Sequence, residues 1–147
     1  MTDPMTGPVE DRGRSLPMGV QVSAFLRSFA IQGSWNYRTM IGQGFAFSLL
    51  PILRYVYGTD EEALERALER HAHYFNAHPY LAEVALGAVA RMELEGRPAE
   101  TMGRFKDAVR SPLGSIGDRL IWAGALPAAA LAAVAVGLVG VPFWLPL

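Results

Sequence analysis

Leu120-Ile-Trp-Ala-Gly-Ala-Leu-Pro-Ala-Ala-Ala-Leu-Ala-Ala-Val-Ala-Val-Gly-Leu-Val-Gly-Val141 holds no charged residue over 22 positions. At ~1.5 Å per residue a helix over this stretch reaches about 33 Å, against a bilayer hydrocarbon core of ~30 Å. Small soluble domains seldom bury an uncharged run of that length. The stretch therefore reads as one membrane-spanning helix rather than a core helix. Pro127 lies inside it and removes one internal hydrogen bond, which membrane helices tolerate where packing restores it. Arg104, Lys106, Arg110 and Arg119 precede the stretch and nothing basic follows it. The positive-inside rule then puts the preceding region on the cytoplasmic side. Trp144 beyond it is a candidate interfacial anchor.

The rest of the chain bounds the function by what it lacks. Its 147 residues suffice for one domain, and the net charge of −1 gives no field that would draw it to nucleic acid. With no cysteine, disulfides, thiolate chemistry and Cys-type zinc sites are excluded. Residues 1–19 mix charges with prolines and glycines and lack an apolar core, so they read as a disordered tail and not as a secretory signal. Residues 20–147 then form a single membrane domain.

Between tail and span the apolar pattern is helical throughout. Val22, Phe25, Leu26 and Phe29 stand at i, i+3, i+4 and i+7, one stripe of an amphipathic helix. The stripe suits a membrane surface, a partner or a core equally well. Ser34 is a plausible N-cap for a second helix starting at Trp35, with Gly42 and Gly44 fitting a kink or irregular turn and Pro51 disturbing its continuation. Thr59 and Glu62 make a capping-box pattern opening a third helix. Its stripe is Leu64, Ala67, Leu68, His71 and Phe75, it carries a Glu62–Arg66 pair, and Pro79 ends it. Tyr80–Met92 is a fourth helix. Residues 91–106 are polar and interrupted by Gly96, Pro98 and Gly103, and 111–118 is a turn-rich approach to the span. The fold class is thus all-α: a helical membrane protein with N-terminal amphipathic or interfacial helices and one clear transmembrane helix.

Candidate chemistry is sparse. His71 and His73 are two apart and point to different faces of a helix, so zinc-type pairing at i, i+4 is not met and no metal site is expected. His71, on the apolar stripe, should be packed and hydrogen-bonded. Gly114-Ser-Ile-Gly117 lacks the Gly-Lys-Ser/Thr ending of a phosphate loop. No nucleophile–base pair or carboxylate dyad is visible, and no cofactor is implied. Asn36, Asn76 and His78 are polar in an apolar setting and need partners, either a sugar's hydroxyls or the backbone of a neighbouring subunit. Trp35 could stack on a sugar ring. Asp118 could cap the spanning helix.

Three blocks carry a resemblance. They are Gln32-Gly-Ser-Trp-Asn-Tyr37 with Met40, Phe75-Asn-Ala-His-Pro79, and Pro112-Leu113 followed by Gly117-Asp118 and Trp122. In this order they resemble the IID component of the mannose/fructose/sorbose family of the bacterial phosphotransferase system, over roughly residues 20–140. The resemblance implies a helical membrane subunit without its own catalytic site, in the bacterial cytoplasmic (inner) membrane with its N-terminal region cytoplasmic. It implies a IIC subunit as partner in a hetero-oligomer, IIA and IIB phosphocarriers as further partners, and a hexose as substrate. It makes Trp35, Asn36, Asn76, His78 and Asp118 candidates for the substrate or subunit interface. Because phosphate in such systems travels through IIA and IIB, it also argues against a phosphohistidine here. Two departures stand out: the family pattern Gly-Asp-Pro reads Gly-Asp-Arg119 here, and Leu126 replaces an arginine before Pro127. Family members also run about twice as long. A truncated, non-transporting paralogue acting as a membrane interaction or regulatory protein is the alternative.

Overall fold

The computed structural model describes residues 15–138. Its helices are α1 (Met18–Ser28), α2 (Gly42–Tyr57), α3 (Glu61–Ala72), α4 (Pro79–Leu94), α5 (Ala99–Gly117) and α6 (Leu126–Leu138). A π-segment, Asp118–Ala125, joins α5 to α6 without interruption. The fold is all-helical, as the stripes and the apolar run imply, and the described residues hold one helix long and apolar enough to cross a membrane. Residues 1–14 of the expected tail, and Val139–Val141 with Trp144 at the other end, lie outside the described residues. Met18 and Gly19 already belong to α1.

The core forms around α2, which lies between α1 and α3 and also reaches α4. Phe45, Leu49 and Leu53, spaced one turn apart, are wholly buried, joined by Phe75, Ala82, Ala85 and Val89. Two glycines let α2 come close to its neighbours. A Cβ at Gly44 would stand 1.9 Å from the Ile31 carbonyl oxygen, and one at Gly42 would stand 2.2 Å from that of His73. These glycines, both within α2, serve backbone approach and not the kink or irregular turn expected from their spacing. Pro51 does not stop α2 either. Ile52 and Leu53 beyond it are buried, so packing holds the helix through the missing hydrogen bond.

Several boundaries differ from the pattern-based reading. The second helix starts at Gly42 and not at Trp35, because the Asn36 side chain competes for the backbone ahead of it. Its Oδ1 accepts from the Arg38 and Thr39 amides, both at 3.0 Å, and ties residues 36–39 into a turn. Asp60, not Thr59, caps α3: its carboxylate accepts from the Ala63 amide at 3.0 Å. The Glu62–Arg66 pair is present. Pro79 does not end α3, which stops at Ala72; it opens α4 at the first helical position, where its missing N–H costs nothing. The break between α4 and α5 falls at Gly96, with φ of 65°, and Pro98, while Gly103 is helical.

The largest difference is at 111–118, which is helix and not turn. Pro112 sits inside α5, and one helix runs from Ala99 to Leu138, 40 residues in all. Immediately before Pro127 it widens, so that the Leu126 amide bonds the Ile121 carbonyl five residues back. Pro127 has no N–H to give and its ring crowds the preceding turn; a widened register absorbs both defects. Every described residue from Trp122 to Leu138 is exposed, as an unaccompanied span in lipid requires.

Candidate functional site

The three blocks meet at the stretch joining α3 to α4. Block one reaches it through the backbone: the Phe75 amide bonds the Thr39 carbonyl at 3.2 Å, and the Ile41 amide bonds the Phe75 carbonyl at 3.1 Å. Met40, between these contacts, has φ of 53°, a left-handed conformation that costs about 1–2 kcal/mol for a residue with a side chain. The burial of Phe75 against Phe45, ring centroids 4.8 Å apart, holds it there. Block three reaches the same stretch through side chains. A Cβ at Gly117 would stand 2.1 Å from that of His78, so only glycine lets α5 pass the imidazole. Trp122 lies 5.9 Å from the His78 ring and Tyr80 lies 5.4 Å from it.

Each candidate residue has a distinct place at this junction. Asn36 spends its side chain internally. Besides accepting two backbone amides, its Nδ2 donates to the Thr39 hydroxyl at 2.8 Å and the Ser34 carbonyl at 3.0 Å. Trp35 is exposed and meets exposed Tyr37 edge-to-face at 4.8 Å. Asn76 is exposed, and its side chain makes no hydrogen bond among the described residues. His78 is buried, and neither ring nitrogen has a partner among the described residues. Asp118 is exposed at the start of the π-segment and caps nothing, because α5 is already running there. The expected cap does not exist.

A second polar cluster, buried between α2, α3, α4 and α5, escaped the sequence reading except for His71. Glu93 Oε1 lies 2.6 Å from His71 Nε2 and accepts from Arg70 at 2.7 Å, while Oε2 accepts from the Tyr57 hydroxyl at 2.6 Å. The Lys106 ammonium donates to the His71 carbonyl at 3.1 Å and stacks over Phe45, 5.0 Å from the ring centre. It thus caps the C-terminus of α3 from another helix, where orphan carbonyls and the helix dipole favour a cation. Burial pushes the Glu93 carboxyl up, but its bonds to His71, Tyr57 and Arg70 outweigh this and hold it below the usual range. Burial lowers His71 despite its bond to Glu93, and the imidazole is neutral with Nε2 donating. Burial likewise drives Lys106 down to about 8 and, with Glu93 alongside, Tyr57 up to about 12. Arg70 is paired with Glu93, Lys106 rests on the His71 carbonyl and the Phe45 ring, and His71 Nδ1 is buried without a hydrogen-bond partner among the described residues, so the cluster binds four helices together. The faint sequence signal is register: Glu93 follows buried Val89 and Ala90, and Lys106 follows buried Met102 by one turn.

Residues 19–143 match the model of the family "PTS system mannose/fructose/sorbose family IID component". The chain belongs to this IID family. Among curated relatives, it is 35% identical over 108 residues to the mannose-specific EIID component of Escherichia coli K12, covering 70% of this chain and 38% of that one. It is 29% identical over 123 residues to the fructose permease IID component of Bacillus subtilis, covering 80% and 44%. Its fold matches a chain in the cryo-electron microscopy structure of the mannose transporter ManYZ with microcin E492, with TM-score 0.81 and 29% identity, covering 88% of this chain and 49% of that one. This IID chain thus spans less than half the length of the relatives it matches.

Proposed function

We propose that the chain is a membrane subunit of a mannose-type phosphotransferase sugar transporter, pairing with a IIC subunit in the bacterial cytoplasmic membrane. The helical domain before the span lies on the cytoplasmic side. The observation that carries this is the convergence of the three family blocks on one junction, at the foot of a fully exposed apolar helix. Trp35, Asn76 and Asp118 are presented outward there and would meet the IIC subunit or sugar directly. Asn36 and His78 hold the junction's shape and act through their neighbours. The subunit contributes no catalytic group; the IIA and IIB partners would carry the phosphoryl chemistry on a hexose.

A second function, a non-transporting interaction protein of the same family, has Arg119 in its favour, exposed where the family pattern has proline. One experiment separates the two. The chain is co-expressed with the IIC protein of its organism, pulled down by tag, and its gene is deleted for uptake measurements. Association together with lost hexose uptake supports the transporter subunit. Association with unchanged uptake supports the interaction protein. Absence of both effects sinks either function.

A further inference from the structure

Helix α1 turns its small face inward. Ala24 and Ser28 are buried against α2, and the Ser28 hydroxyl folds back onto the Phe25 carbonyl at 2.7 Å. The large apolar residues point out: Phe25 is 59% exposed, Leu26 63% and Phe29 75%, with Met18 and Val22 beside them. A helix of a water-soluble domain is built the other way round. The core therefore does not explain the stripe.

Its position does. Phe25 and Phe29 line one groove with Tyr80 of α4. Tyr80 packs on the His78 ring, and Trp122 packs on the same ring. Trp122 is the third residue of the uncharged stretch, and the height of a Trp at a span's end is the headgroup layer. A largely apolar surface thus runs from the end of the uncharged stretch through Tyr80 to α1, with half-buried Glu83 and exposed Gln32 also lining the groove. The polar side of the domain lies elsewhere. Helix α3, which barely meets α1 across α2, exposes Glu61, Glu62, Glu65 and Glu69, whereas α1 carries no acid.

We propose that α1 lies in the plane of the bilayer interface, with Met18, Val22, Phe25, Leu26 and Phe29 seated among lipid headgroups and upper acyl chains. It is an in-plane anchor that fixes the helical domain against the membrane and with it the orientation of the junction around His78. The proposal rests on the span, not on pairing with IIC.

The chain has no native cysteine, so single-cysteine labelling is clean. Nitroxide is placed at V22C, F25C, L26C and F29C, at L131C in α6, and at E65C in α3. The full chain is reconstituted in phosphatidylcholine–phosphatidylglycerol vesicles. Collisions with oxygen, which enters lipid, are compared with those of a water-soluble nickel chelate. The α1 labels are expected to favour oxygen, as L131C does, while E65C favours nickel. Nickel-favouring α1 labels overturn the anchor while L131C still reports the span. So do α1 labels shielded from both reagents, which mean that protein covers the stripe. A water-exposed L131C would instead remove the span on which the proposal stands.

Discussion

At the scale of residues, the Tyr57–Arg70–His71–Glu93 cluster, with His71 and Glu93 buried, and Lys106 make stability depend on pH in a defined way. The folded pKa of His71 lies below its unfolded value of 6.5, so as pH falls through 6.5 the unfolded chain takes the proton first and stability drops. Glu93 is also depressed, so its contribution is present above 4.5 and is lost as pH falls further. Lys106 falls from 10.5 to about 8, so between these values the folded state has shed a proton that the unfolded state keeps, and stability rises with pH. Tyr57 rises from 10.0 to about 12 and keeps its proton when folded, so stability declines as pH passes 10. Thermal unfolding in detergent should therefore show a midpoint that rises from pH 5 to 7 and again from 8 to 10. Lys106→Met should flatten the second rise and leave the first. A second rise that survives the substitution would assign it to another group. Little of this cluster was legible in the sequence. His71 sat on an apolar stripe and announced its burial. Glu93 and Lys106 did not, because a charged residue on a helix reads as solvated until the tertiary partner that neutralises it is known.

At the scale of elements, close backbone approach sets the architecture. The Ile31 carbonyl fills the space where a Gly44 side chain would stand, and no rotamer change can relieve that contact. Gly44→Ala should cost about 3 kcal/mol, the upper end for overpacking, and loosen α1 from α2. Hydrogen exchange would localise the loss to α1 and the turn following it, whereas Gly103→Ala, with open space around it, should change little. Uniform exchange across all helices would contradict the role given to Gly44. The same physics marks what sequence pattern resolves. Periodicity identified the stripe of α1, the amphipathic α3 and the span, because it reports which face seeks an apolar medium. It could not say whether that medium was core or lipid. Nor could it foresee helix through Pro51 and Pro112, where packing outweighs a missing donor. Asn36 ahead of α2 was missed for the opposite reason: a local side-chain bond overrode a favourable run.

At the scale of the molecule, three blocks far apart in sequence form one surface at the base of the span, braced by the Phe75 backbone and by His78 against Gly117. The proposed IIC-facing surface rests on family membership together with this convergence. The five residues singled out by resemblance divide by structure: Trp35, Asn76 and Asp118 reach outward, and Asn36 and His78 brace the site from within. The most direct test places a photoactivatable benzoylphenylalanine at position 35, where an exposed aromatic already stands, in cells that carry the IIC subunit. Irradiation should yield a covalent adduct with the mass of this chain plus IIC, while the same probe at Glu65 on α3 should yield none. No adduct from position 35, or equal adducts from both positions, would contradict the account.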